Sequence, residues 1–241
     1  MAGHSQFHNI MYRKGAQDEK RARRFAKLSR EITVATKLGG KDPTANPRLR
    51  TALASARENN MPKDNIEKAI AKAVNDGNSS NFLDVQYEGR GPGGVAIIVE
   101  ALTDNKNRTA SEVRSAFSKF GGRLGETGSV SCIFNHVGCL LYRSITGGFN
   151  AAYECAIECD ADDVHETNEG GVEVITSARR FAEVRDIFTT KFGDPVESGL
   201  IWMPTSYTTC EEEERAIVER LLDTLDDNDD VQRVFHNMEE R

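Results

Sequence analysis

The chain has 241 residues, 38% hydrophobic and 29% charged, with a formal net charge of −7. That composition fits a soluble globular class and excludes a disordered one, and no run approaches the ~18 apolar residues of a membrane span. The length suits two or three compact units.

The charge is unevenly placed. Residues 1–75 carry 16 Lys/Arg and 7 Asp/Glu, a balance of +9, while residues 76–241 carry 15 and 31, a balance of −16. Net charge speaks to partners rather than to fold. The basic end is drawn to polyanions and the remainder repels them, so a nucleic acid should meet one end of the molecule only.

The first residues, MAGHSQFHNIMYRKGAQ, lack the apolar core of a secretory signal and read as functional sequence. Residues 17–37 read as a helix, with Phe25, Leu28, Ile32 and Ala35 on one apolar stripe and cations mostly off it. Gly39-Gly40 ends it. Asn46 caps a second helix with Pro47 in its first turn and Leu49, Leu53 and Ala56 inward. A third starts at Met61-Pro62, with Ile66, Ile70 and Ala73 inward. Short connections make these a three-helix bundle. Residues 76–81, DGNSSN, read as a linker.

The pattern then changes. A strand around Val85 and Tyr87, a tight Gly89–Gly94 connection and a second strand at 95–102 are expected. A helix at 107–120 turns Val113, Ala116, Phe117 and Phe120 inward. Residues 129–143 read as two strands around Val137-Gly138. A helix near 150–159, a strand at 172–176, a helix at 182–192 and a strand at 199–204 follow. The expected order β-β-α-β-α-β resembles a ferredoxin-like unit. A helix at 211–225 places Ile217, Val218, Leu221, Leu222 and Leu225 inward, with acids at its start. The final strand, near 231–237, has no local partner and should return to the sheet begun at 82–102. The fold class is therefore α+β, with a basic helical domain at 1–78. A middle α/β domain follows at 79–128 plus 207–241, with a ferredoxin-like domain inserted at 129–206.

No catalytic constellation stands out. The glycine-rich turn precedes a strand, whereas phosphate loops precede a helix. Cys155 and Cys159 are i,i+4 without a third ligand, and the odd count of five cysteines reads as reduced thiols. The acids Asp223, Asp226, Asp227, Asp229 and Asp230 do not match a calcium loop and read as solvated. The expectations are no enzyme activity, no catalytic residue, no metal and no cofactor.

The basic arm is the stronger signal. Arg13, Lys14, Lys20, Arg21, Arg23, Arg24, Lys27 and Arg30 are nearly unopposed, and they follow a polar tail bearing Phe7, His8 and Tyr12. Cations supply phosphate affinity and aromatics can stack on bases, without separating DNA from RNA.

The opening MAGHSQFHNIMYRKGAQDEKRARRFAKLSREI resembles the start of the YebC family. Further matches are Met61-Pro62-Lys63-Asp64-Asn65-Ile66, the Tyr87–Ala96 segment YEGRGPGGVA and the Thr103–Thr109 segment TDNKNRT. Gln6-Phe7 stands where the family usually has Lys-Trp, which loses a cation and keeps an aromatic. The resemblance spans essentially the whole chain. It implies three domains, the last inserted in the middle one, and no enzyme activity. It implies a cytoplasmic DNA-binding transcriptional regulator. Alternatively it implies a ribosome-associated translation factor, because relatives include a mitochondrial translational activator and members linked to stalled translation. The expected nucleic-acid-binding residues are His4, Phe7, Arg13, Lys14, Lys20, Arg21, Arg23, Arg24, Lys27 and Arg30. The expected partners are DNA or ribosomal RNA, with ribosomal proteins on the acidic surfaces and no membrane.

Overall fold

The computed structural model describes residues 17–75, 82–168 and 170–239, the side chains of 17–20 and 75 excepted. Helix α1 (Gln17–Gly39), α2 (Pro47–Glu58) and α3 (Lys63–Asn75) form the N-terminal bundle. Ile32, Ala35, Leu49, Ala52, Leu53, Ala56 and Ala69 make its core, with Phe25, Leu28, Ile66 and Ile70 packed against it. Buried Asn46 joins two of these helices. Its Oδ1 accepts from the Leu49 N–H at 3.0 Å, capping α2, while its Nδ2 donates to the carbonyls of Ala35 and Gly40 at 2.8 Å each. One side chain thus satisfies orphan groups at the end of α1 and the start of α2. Gly40, at φ +85°, ends α1 in a conformation other residues resist.

Among the described residues there are two four-stranded sheets. The first contains β1 (Leu83–Arg90), β2 (Ala96–Thr103), β3 (Arg123–Leu124) and β8 (Val231–His236) in the order β3-β1-β2-β8. Helices α4 (Lys106–Lys119) and α7 (Glu212–Asp226) supply Val113, Ala116, Phe117, Val218, Leu221 and Leu225 to a core under this sheet. The last strand pairs antiparallel with β2, as its lack of a local partner predicts.

The second sheet holds β4 (Phe134–Tyr142), β5 (Asp163–Glu166), β6 (Val172–Ser177) and β7 (Glu197–Pro204) in the order β5-β6-β4-β7. Helices α5 (Gly148–Glu158) and α6 (Phe181–Phe192) cover one face of it. This unit lies in the chain between β3 and β8 of the first sheet. The two sheets meet on their remaining faces through Ala96, Ile98, Val137, Cys139, Ile175, Ile201 and Phe235. Strand β2 is therefore covered twice: Ile97 and Val99, with Val95 just before the strand, face the helices while Ala96 and Ile98 face the second sheet. A doubly covered strand reads as the near-continuous apolar run VAIIVEAL.

The expected element order was incorrect, although the ferredoxin-like unit is present. Residues 134–142 form one strand rather than two, preceded by a 3₁₀ turn at Ser131–Ile133. Gly138 is no turn. A Cβ there would lie 2.6 Å from Cδ2 of Phe181, so the glycine admits the α6 ring against β4. Strand β5 (DVHE) sits at the sheet edge with two exposed and two half-buried residues, so no apolar run marks it in the sequence. The observed order is β-α-β-β-α-β, the ferredoxin-like order itself. Ile217, expected inward on α7, is 38% exposed, while Val218, Leu221 and Leu225 are buried.

Candidate nucleic-acid interface

Helix α1 carries its cations on two faces, as a 3.6-residue period dictates. Arg23, Lys27 and Arg30, spaced i, i+4, i+7, form one row. Arg21 and Arg24 lie on another. The two rows have different surroundings.

The first row is covered. Arg23 is ion-paired with Asp227. Lys27 Nζ reaches Asp226 Oδ1 at 3.0 Å and the Asp226 carbonyl at 2.6 Å. Arg30 donates to Asp230 Oδ1 at 2.9 Å and to the carbonyls of Asp229 at 2.7 Å and Leu102 at 3.3 Å. The acidic run at 223–230 is largely exposed as expected, with Asp230 buried, and its 226–230 part is in addition the counter-surface of the basic helix.

The physical cause lies in α7. Its first turn, Glu212 to Glu214, suits the positive end of the helix dipole. Its last turn has no basic residue and ends in Asp226 and Asp227, which the negative end repels. The cations of α1 neutralise both the carboxylates and the open carbonyls of that end.

Asp230 is the inner anchor of the contact. Its Oδ2 accepts from Arg108 Nη2 at 2.6 Å, Thr109 Oγ1 at 2.7 Å and Thr103 Oγ1 at 3.1 Å, while Oδ1 takes Arg30. Burial alone would raise its pKa; the bonds from Arg108, Thr109 and Thr103 outweigh that and hold the carboxyl below its ordinary value.

The second row is exposed, and among the described residues its charged neighbour is Glu197, whose carboxyl Arg24 pulls down against burial. Arg21 is exposed and lies over the Phe25 ring at 5.3 Å. Arg24 is exposed and donates to Asn59 Oδ1 at 3.3 Å. That bond sets the first turns of α1 beside the α2–α3 connection, where Arg57 and Lys63 are also exposed. Lys63 makes an exposed i,i+4 contact of 3.6 Å to Glu67. Arg21, Arg24, Arg57 and Lys63 therefore make a basic end to the bundle.

The bundle also leans on both sheets. Arg48 bridges Glu31 at 2.6 Å and Asp84 at 2.8 Å. Arg185 Nη1 donates to Thr51 Oγ1 at 3.2 Å, and Ser198 Oγ donates to Glu58 Oε1 at 3.3 Å. At this seam burial pushes the Glu58 carboxyl up to about 8 and Glu197 up to about 7. Each therefore takes up a proton near neutrality.

Of the residues expected to bind nucleic acid, His4, Phe7, Arg13 and Lys14 lie outside the described residues, as does the side chain of Lys20. Arg21 and Arg24 are brought together at the open end. Arg23, Lys27 and Arg30 are turned to the acidic segment. Arg57 and Lys63 are each isolated in the sequence, so no run of charge marks them as part of this end. The covered row did leave a signal in its i, i+4, i+7 spacing and in the acidic end of α7. Among the described residues no group of three or more His, Cys, Asp or Glu could hold a metal ion, and no helix is long and apolar enough to cross a membrane. Cys155 and Cys159 are buried in the core under α5, and burial pushes both thiols up.

Two family models match nearly the whole chain. Residues 5–76 match the TACO1/YebC protein N-terminal domain, and residues 82–238 match the TACO1/YebC second and third domain. Among solved structures, the chain is similar to the crystal structure of a conserved hypothetical protein, Aq1575, from Aquifex aeolicus. The two are 40% identical with a TM-score of 0.82, over 95% of this chain and 94% of that one.

Proposed function

The chain belongs to the TACO1/YebC family, and from that premise we propose that it regulates gene expression by binding nucleic acid, without catalysing a reaction. The reading we favour is contact with DNA in transcription, in the cytoplasm. The observation that carries it is the open basic end formed by Arg21, Arg24, Arg57 and Lys63. Cations grouped there offer phosphate contacts that position the protein without reading bases.

A second reading, action at the ribosome in translation, has its own support. The balance of −16 beyond residue 75 opposes wrapping a bare duplex and suits insertion of one basic end into structured RNA. The acidic faces would then be available to basic ribosomal proteins.

If about four cations meet phosphates, log K falls with log salt at a slope of about −3.6 on duplex DNA. That is roughly a hundredfold loss between about 50 and 200 mM salt. Changing Arg21, Arg24 and Arg57 to Glu should abolish the binding and leave the two sheets folded. Unaltered binding by the triple variant, or affinity indifferent to salt, refutes the assignment. Gel shifts on promoter DNA against co-sedimentation with ribosomes, at one salt concentration, separate the two readings.

A further inference from the structure

The covered row of α1 has the composition of a phosphate-binding surface, yet it is occupied from within the chain. Its occupant presents what a nucleic-acid strand presents: a succession of anionic oxygens, here Asp226, Asp227 and Asp230, with the carbonyls of Asp226 and Asp229 between them. Arg23 and Lys27 stand about 6 Å apart along the helix axis, with Arg30 about 4.5 Å further.

The contacts are graded. Asp230 has a side chain only 7% exposed and is shared with Arg108 and two threonines, so it is fixed in the middle of the fold. The side chains of Asp226 and Asp227 are 68% and 54% exposed, against 14% for Lys27 and 36% for Arg23, so each pair is open on its carboxylate side. Exposed pairs are weak and screened by salt. A polyanion that brings phosphates to Arg23 and Lys27 also releases its condensed counterions, a gain the two aspartates do not offer.

We propose that the 226–230 segment is a built-in phosphate mimic that masks a second nucleic-acid-binding face of α1. Nucleic acid displaces Asp226 and Asp227 from Lys27 and Arg23, and the Arg30–Asp230–Arg108 node stays closed as the pivot. The proposal rests on the nucleic-acid reading above and adds its regulation: the open end makes first contact, and the masked row strengthens the complex only after exchange. It follows that the protein binds more weakly than its count of cations suggests.

The test uses the full chain and a fluorescent duplex, prepared once as DNA and once as RNA. Asp226→Asn with Asp227→Asn should raise affinity about three- to tenfold, the worth of two exposed pairs. Glu154→Gln with Asp162→Asn removes the same charge from exposed positions on the far unit and should change affinity less than twofold. Equal gains in both double variants would reduce the effect to overall charge and overturn the proposal.

A second readout follows the exchange itself. Paired spin labels at Ala26→Cys and Arg220→Cys, in a Cys132→Ser background, should move apart when the duplex saturates the protein. A fixed distance with the duplex bound overturns the proposal as well. If no form binds either duplex, the nucleic-acid reading fails and the mask falls with it; if the wild type binds but the Asp226/Asp227 double variant gains nothing over it, the mask alone is overturned.

Discussion

Replacing Asp230 with Asn tests the joint on which the bundle and the first sheet meet. The substitution keeps the size of the side chain and removes its charge. Four side-chain donors converge on this carboxylate, two of them guanidinium groups. Depriving a buried pair of one partner costs about 3–5 kcal/mol. Here the loss is cushioned. Arg30 keeps the carbonyls of Leu102 and Asp229, and Arg108 is 45% exposed and keeps Asp104 at 3.0 Å. Thr109 can turn its hydroxyl proton to the Thr103 oxygen, 2.8 Å away. The expected cost is about 2–4 kcal/mol, measured by urea unfolding at pH 7. The pH dependence has a definite sign. Because the native carboxyl titrates below its ordinary value, its contribution is full above about pH 4 and fades as pH falls through the native value. Wild type and variant should therefore converge in acid. Asp229→Asn is the control, since Arg30 uses only its backbone carbonyl, and should stay within about 0.5 kcal/mol of wild type. A loss below about 1 kcal/mol for Asp230→Asn, or an equal loss at 229, refutes the reasoning.

The seam carboxylates act with the opposite sign: with pKa values raised to about 8 for Glu58 and about 7 for Glu197, stability should decline as pH rises from about 4.5 to 8. Glu58→Gln should therefore stabilise the chain at pH 8 and leave it unchanged near pH 4.5, and a destabilised variant at pH 8 would contradict the burial argument. Gly138→Ala should cost about 1–3 kcal/mol in thermal unfolding, because its Cβ would lie 2.6 Å from the Phe181 ring; an unchanged midpoint would mean that α6 shifts freely. Asn237, 2% exposed, accepts from the buried Ala96 N–H at 2.8 Å and donates to the Ser206 carbonyl and the Thr208 hydroxyl at 3.1 Å each. Asn237→Ala should cost about 1–3 kcal/mol and speed hydrogen exchange at the Ala96 amide, whereas normal protection there would show the bond to be dispensable.

Local order was legible in the sequence because its causes are local. Asn46-Pro47 marked the start of α2, Gly39-Gly40 the end of α1, and the stripe Phe25, Leu28, Ile32, Ala35 gave the inward face of the bundle. The run at 95–102 announced a strand covered on both sides, and the orphan strand near 231 had to find β2. Charge along the chain located the basic end. Its partition did not show, because what faces a side chain depends on residues far away in sequence. Arg23 meets an aspartate 204 residues later, and Lys27 and Arg30 meet theirs 199 and 200 later. Gly138 has the same lesson: read locally a glycine suggests a turn, but in the fold it is the gap that a phenylalanine from α6 fills. Periodicity and capping are short-range physics and survive in one dimension. Ion pairing and packing between elements depend on distances that exist only once the chain has folded, and those distances divided the cations of α1 into an open pair and a covered row.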